Sequence, residues 1–189
     1  MSLLAIATVG DPVLRERAPE ISTEELRSSE VQRLIDDLIE TRRATGGAGL
    51  AATQVSALKR IAIAEVDGNT RYPYKPPIPL TVIVNPVIEP RSDQTLLINE
   101  GCLSVPDLRG DVERFTEVRI RYLDRHGEPR ETDARGLSAG TFQHEVDHLD
   151  GVLFLDRVKD SRSFSTWEQF ERHHKEDFLR RVAPYVRGA

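Results

Sequence analysis

His144 and His148 stand four residues apart, with Glu145 directly after the first, in the stretch Gln143-His144-Glu145-Val146-Asp147-His148. On an α-helix, side chains at i and i+4 share a face and are offset by about 6 Å along the axis. Two imidazoles so placed can grip one metal ion. Glu145 is turned round the helix from both, so it can touch a water held there without being a ligand. The competing reading is a polar helix face with two solvated histidines, so the pair needs support from elsewhere in the chain.

A catalytic zinc or iron site generally takes three protein ligands and leaves a position for water. Metzincin proteases continue HExxH with xxGxxH. Here Gly151 is in place but Phe154 occupies the ligand position, which closes that option. Thermolysin-like enzymes use a downstream glutamate, and Glu168, Glu171 and Glu176 keep that option open. The third option is Cys102, the only cysteine. A lone cysteine is most often a small buried hydrophobe. Yet Cys102 lies in Glu100-Gly101-Cys102-Leu103-Ser104, after a strand, where turning backbone can present a side chain. A thiolate there completes a Cys/His/His set.

The elements that position these groups can be read from periodicity. Asp11-Pro12-Val13-Leu14-Arg15 reads as one helical turn with Asp11 as its cap. Val31, Leu34, Ile35, Leu38 and Ile39 recur at three and four, predicting an amphipathic helix over 29–43 capped by Ser28 or Ser29. Three glycines among residues 46–49 let backbone approach something closely, and no Gly-Lys-Ser/Thr follows to make a phosphate loop. Ile61–Val66 reads as a strand, 67–80 with its four prolines as an irregular loop, and Thr81–Ile88 as a β-run with Pro86 at an edge or bulge. Thr95–Asn99 is a short strand. Val118, Ile120 and Tyr122 alternate with arginines in a half-buried strand, and Asp124–Gly127 turns into a polar strand at 128–134. Ser138 is expected to cap the histidine helix from near Ala139, and Gly151 to end it. A last helix starts at Thr166, with Gln169 completing a capping box, and ends near Val182. Short β segments with a few helices point to α+β.

The chain has 189 residues, which suits one domain with a sizeable core and needs no disulfide framework. Its net charge of −5 argues against a general nucleic-acid binder. No apolar run reaches the roughly 18 residues of a membrane span. The N-terminus lacks a basic region and a cleavage site, so it reads as part of the fold. A single cysteine excludes an intramolecular disulfide and suits a reducing cytoplasm.

Three stretches taken together, Gly47–Gln54, Glu100–Ser104 and Gln143–His148, resemble the signature motifs GxGLAAxQ, EGCLS and QHExDH of the peptide deformylase family. They match without a gap, in the family's order and spacing. The resemblance extends to Gly10-Asp11-Pro12-Val13-Leu14-Arg15 and covers residues 5 to about 160. It implies small antiparallel sheets around a central buried helix carrying the histidine pair, plus an N-terminal and a C-terminal helix. The whole chain, 1–189, would be one catalytic domain, with the helix at about 166–182 peripheral.

The resemblance also implies that Cys102, His144 and His148 bind one divalent metal ion. That ion is Fe2+ in most members, with Zn2+, Ni2+ or Co2+ as substitutes, and a water is its fourth ligand. Glu145 would act as general base and then acid, with the Gln54 amide and the Leu103 backbone N–H stabilising the oxyanion. The implied substrate is the N-formyl-methionine terminus of a nascent polypeptide, bound as an added strand near Ala48, Gly49 and Gly101. Arg109 would contact its backbone, and Leu137, Gly140 and Thr141 would line the methionine pocket, Gly140 being smaller than the family's usual residue. Asp147 reads as one end of a structural salt bridge, and Gln143 has no assigned role. Cytoplasmic location and transient ribosome contact follow, with no DNA or membrane partner. The basic residues Arg172, His173, His174, Lys175, Arg180 and Arg181 are diluted by Glu171, Glu176 and Asp177, which favours a solvated face. An HExxH metallo-endopeptidase and a non-catalytic metal-binding homologue are the alternatives.

Overall fold

The computed structural model describes residues 3–68 and 73–186. Seven strands run in chain order: β1 Gly49–Ala51, β2 Ile61–Val66, β3 Ile78–Pro90, β4 Thr95–Cys102, β5 Val105–Phe115, β6 Glu117–Leu123 and β7 Pro129–Arg135. The helices are α1 Thr23–Leu26, α2 Ser29–Thr45, α3 Gly136–Leu149, α4 Phe154–Arg157, α5 Trp167–Gln169 and α6 Lys175–Val182, with a π-turn over Phe170–His174 joining the last two. One five-stranded antiparallel sheet has the order β1-β2-β3-β6-β7, and β4 pairs with β5 in a second, two-stranded sheet. The molecule is therefore α+β with small antiparallel sheets.

Strand β2 explains the layering. All six of its residues are buried, so the sheet is covered on both faces. Ile61 and Ile63 pack with Ile35, Leu38 and Ile39 of α2. Ala62 and Ala64, pointing the other way, pack with Phe142, Val146 and Leu149 of α3. Alanines on that face let α3 lie close to the sheet. All of α3 except Ser138 and His144 is buried.

Several expected boundaries hold. Helix α2 is capped by Ser28, whose side chain accepts from the Val31 N–H, and it ends at Gly46 with φ 67°. Asp11 caps the turn Pro12–Arg15. Asp124 Oδ1 accepts from His126 and Glu128 N–H groups in the β6–β7 turn. Pro86 sits at a register shift between Val84 and Val87, so the bulge option is the one taken, in an interior strand. Thr166 Oγ1 accepts from the Gln169 N–H at the start of α5, and the helix expected from there to Val182 is broken by the π-turn into α5 and α6.

Other boundaries are corrected. Helix α3 begins at Gly136, not near Ala139, and Ser138 does not cap it; Arg135 stands at the cap without a side-chain bond. Gly136, at φ 53°, turns the chain directly from β7 into the helix, and its N–H bonds to the Thr116 carbonyl. Strand β3 starts at Ile78, which shortens the irregular loop; residues 69–72 of that loop lie outside the described residues. Strand β4 runs on to Cys102. Strand β5 was not expected at all. Two of its inward residues are arginines, Arg109 and Arg114, which are 1% and 2% exposed and disguise the alternation. At the end of the chain, Phe170, Phe178 and Val182 bury themselves against Leu96, Ile98 and Leu137. Among the described residues, no helix is long and apolar enough to cross a membrane.

Candidate metal centre and substrate cleft

Helix α3 and the end of β4 bring three donors together. His144 and His148 face one another at Nε2, 3.3 Å apart, and Cys102 Sγ lies 3.2 Å from His148 Nε2. All three donor atoms fall within 4.8 Å of one another. Two nitrogens bound tetrahedrally at about 2.05 Å stand about 3.3 Å apart, so the histidine pair already has the spacing that one ion requires. Among the described residues, no other group of three such side chains converges. The downstream glutamates do not join it: Glu168 pairs with Arg172 and Glu171 with Lys175 on the surface.

The protonation states suit a cation. Burial alone would raise the Cys102 thiol, but the charge and hydrogen bonds of His148 and His144 hold it well below its usual range. Burial alone would lower His144, but bonds to Cys102 and Glu100 push it well above its usual value. A thiolate facing an imidazolium is a site in which a divalent cation can replace the shared proton. The donor chemistry and spacing thus fit a metal ion.

Behind His144 runs a buried ladder of charges. Its Nδ1 lies 2.9 Å from Glu100 Oε2. The Arg114 guanidinium holds both oxygens of Glu100, at 2.7 and 2.9 Å. Arg114 also bonds Asp147, and Arg157 holds Asp147 from the solvent side. Asp147 therefore forms the salt bridge expected of it. Burial opposes ionisation of Glu100, yet Arg114 and His144 keep it far below the usual carboxylate range. Gln143 ties α3 to β5, donating to the Phe115 carbonyl and accepting from the Phe115 N–H.

Glu145 is 4% exposed, and burial raises its pKa. Its Oε2 is buried without a hydrogen-bond partner. The carboxylate rests on Gly49: a Cβ there would lie 2.3 Å from Oε1. Gln54 is fixed from the side, its Oε1 accepting from the Ala51 N–H at 2.9 Å. Its Nε2 donates to Ser104 Oγ at 3.1 Å and lies 3.5 Å from Cys102 Sγ.

One cleft contains nearly every residue singled out from the sequence: Ala48, Gly49, Gln54, Gly101, Cys102, Leu103, Arg109, Leu137, Gly140, Thr141, His144 and Glu145 line it. His148 lies beneath them, 1% exposed. Sequence reasoning missed Tyr74, Lys75, Ile98, Asn99, Glu100 and Phe178, which also line it. Glu100 could have been found, since it opens the EGCLS stretch. Tyr74 and Lys75 come from the Pro-rich loop, which carries no periodic signal. Lys75 Nζ donates to Thr141 Oγ1 at 2.9 Å, and enclosure lowers it to about 8 despite the nearby carboxylates Glu100 and Glu145. The space left by Gly140 is not open: a Cβ there would meet Ile98 Cδ1 at 2.5 Å.

A largely buried Cys/His/His trio beside an enclosed carboxylate, on an α+β frame, defines a metal-centred hydrolase. The description "Polypeptide deformylase" belongs to the family model that matches residues 3–164. A peptide deformylase of Leptospira biflexa is 38% identical over 172 residues, covering 90% of this chain and 96% of its own. One of Xylella fastidiosa is 42% identical over 156 residues, 82% and 87% of the two chains. A crystal structure of a class I type b peptide deformylase from Acinetobacter baumannii, with Met-Ala-Ser bound, superposes with a TM-score of 0.80 at 42% identity, covering 83% of this chain and 99% of the other. The chain belongs to the peptide deformylase family.

Proposed function

We propose that the chain removes the N-formyl group from the N-terminal formyl-methionine of nascent polypeptides, using one divalent ion held by Cys102, His144 and His148. The observation that carries this reading is the convergence of those donors with Glu145 and Gln54 at one cleft. The bound ion would supply Lewis acidity, bringing the pKa of water from 15.7 down to about 7. Glu145 takes a proton from the attacking water at its carboxylate and later gives it to the leaving amine. Burial raises Glu145 toward the working pH, which suits both transfers. As the formyl carbon becomes tetrahedral its oxygen gains negative charge. Gln54 Nε2 and the Leu103 N–H meet that charge; one such donor is worth typically about 2.7–4 kcal/mol. The Ala51 bond pre-sets the amide, so little reorganisation is needed.

The peptide lies as an added strand beside Ala48, Gly49 and Gly101. Strand β1 ends its sheet, which supports that reading. Arg109 reaches the peptide backbone. Leu137, Gly140 and Thr141 form the wall for the methionine side chain, with Ile98 filling the room over Gly140. Helix α3 acts as the central element, and residues 1–189 form a single catalytic domain. We assign Fe2+ as the native ion; an imidazole and thiolate set accepts Zn2+, Ni2+ and Co2+ as well. The same reading sets the chain in the cytoplasm, in transient contact with the ribosome that delivers its substrate.

The test is release of free amine from formyl-Met-Ala-Ser by anaerobically purified protein. Absence of turnover in metal-loaded protein refutes the proposal. Cys102→Ala should lose the ion, whereas an endopeptidase using a downstream glutamate would keep it.

A further inference from the structure

Arg109 is held more elaborately than a peptide contact alone requires. It is 1% exposed. Its Nε donates to Asn99 Oδ1 at 2.8 Å, and its Nη2 donates to the Asn99 carbonyl at 2.7 Å. The third nitrogen, Nη1, is buried without a hydrogen-bond partner. It lies beside the Gly101 backbone, 3.3 Å from where a Cβ on Gly101 would stand. One donor is therefore kept open along the edge where a peptide would pair.

Two rings from the end of the chain complete the cage. The guanidinium carbon is 4.0 Å from the Trp167 ring centre and 4.4 Å from that of Phe170. The approach to these rings is fixed by backbone. Arg109 and Ser165 exchange N–H···O bonds at 2.9 and 3.0 Å, forming a bridge between β5 and the C-terminal segment. The Trp167 N–H then bonds Asp107 Oδ1 at 3.2 Å. Phe170 is wholly buried, while Trp167 is partly exposed. Both residues lie beyond residue 164, where the family match ends.

We propose that Trp167 and Phe170 are positioning residues for the peptide substrate. They hold the planar Arg109 fork so that Nη1 stays directed at a peptide carbonyl beyond the first residue. Stacking restrains an arginine side chain that otherwise has many rotamers, and it leaves the edge of the fork, where the donors are, uncovered. The C-terminal segment is on this account part of the substrate cleft. The inference rests on the deformylase reading, with Arg109 as a peptide contact.

Two substrates separate the roles: formyl-Met-Ala-Ser, which extends past Arg109, and formyl-methioninamide, which has no second residue. Trp167→Ala should raise KM for the tripeptide by roughly 3- to 30-fold, the span from an exposed to a desolvated cation–π contact, and leave kcat within about twofold. KM for the amide should not move. Trp167→Phe should restore most of the tripeptide KM, because a second aromatic face replaces the first. Trp167 is the only tryptophan, so its emission should shift when Met-Ala-Ser is added and stay constant with methioninamide. Equal losses on both substrates, no loss on either, or a Phe variant as poor as Ala would each overturn the inference. Inactivity of the metal-loaded wild type on both substrates would instead remove the deformylase reading, and this inference with it.

Discussion

Gly49→Ala probes the closest approach in the site. Gly49 is not in the left-handed region, so alanine can adopt its backbone without strain. The nearest obstacle is Glu145: an added Cβ would lie 2.3 Å from Oε1, 2.4 Å from Cδ and 2.7 Å from Cγ. Ordinary contact begins near 3.4 Å, so the carboxylate must withdraw by 3.4 − 2.3 = 1.1 Å. A misplacement of about 1 Å can cost 100-fold in rate. The expected result is a loss of about 100-fold in kcat/KM, with metal content unchanged, because none of the three donors is displaced. Overpacking costs about 1–3 kcal/mol, which lowers Tm by about 2–12 °C in a chain of this size. Formate release, elemental analysis and thermal melting measure the three quantities. Shortening the carboxylate restores room, so Glu145→Asp should cost much less in the Gly49→Ala background than in the wild type. A Gly49→Ala enzyme with wild-type kcat/KM refutes the placement of Glu145 as the proton carrier.

Three further outcomes follow from contacts already described. Glu100→Gln leaves Arg114 in the interior with half its counter-charge and loosens His144; urea melts should show a loss of about 3–5 kcal/mol, and chelator competition a metal affinity lower by about 10–100-fold. Lys75 titrates near 8 in the folded chain and near 10.5 when unfolded, so between these values the unfolded chain binds more protons and stability rises with pH. Lys75→Met should accordingly be more stable than the wild type at pH 7 by on the order of 1–3 kcal/mol, with the gap closing by about pH 10.5 in denaturant titrations. Gly140→Ala should destabilise by about 1–3 kcal/mol, and Ile98→Val, which deletes the clashing Cδ1, should recover most of it; failure of that rescue would mean that Ile98 is not what fills the wall.

What the sequence made legible was local. The histidine pair and Glu145 are related by helix periodicity, and the helix is there. From residue types alone Cys102 could only be nominated, and it was the three-motif resemblance that chose it; the structure adds that β4 ends against α3 while Glu168 and Glu171 pair on the surface. Strand β5 was invisible for a related reason. Its buried arginines are compensated by Asn99, Glu100 and Asp147, partners on other elements that no window along the chain can see. Gly140, smaller than the family's usual residue, left the size of the pocket open. The Ile98 methyl that fills the gap comes from a strand forty-two residues earlier. Tyr74 and Lys75 reach the cleft from a loop whose prolines signal only irregularity.

The charge ladder behind His144 also limits how the site can be moved. Glu100, Arg114, Asp147 and Arg157 sum to zero, and each neutralises its neighbours. Replacing Glu100 or Arg114 alone leaves a buried ion short of its partner, while Arg157 adds to Asp147 from the solvent side. Drift through single substitutions at Glu100 or Arg114 is therefore obstructed. A graft of the EGCLS and QHExDH stretches onto another scaffold would carry Glu100 and Asp147 but leave both arginines behind. Such a graft would hold two uncompensated carboxylates under its metal site. It would need Arg114 and Arg157 as well, although neither belongs to a recognisable motif.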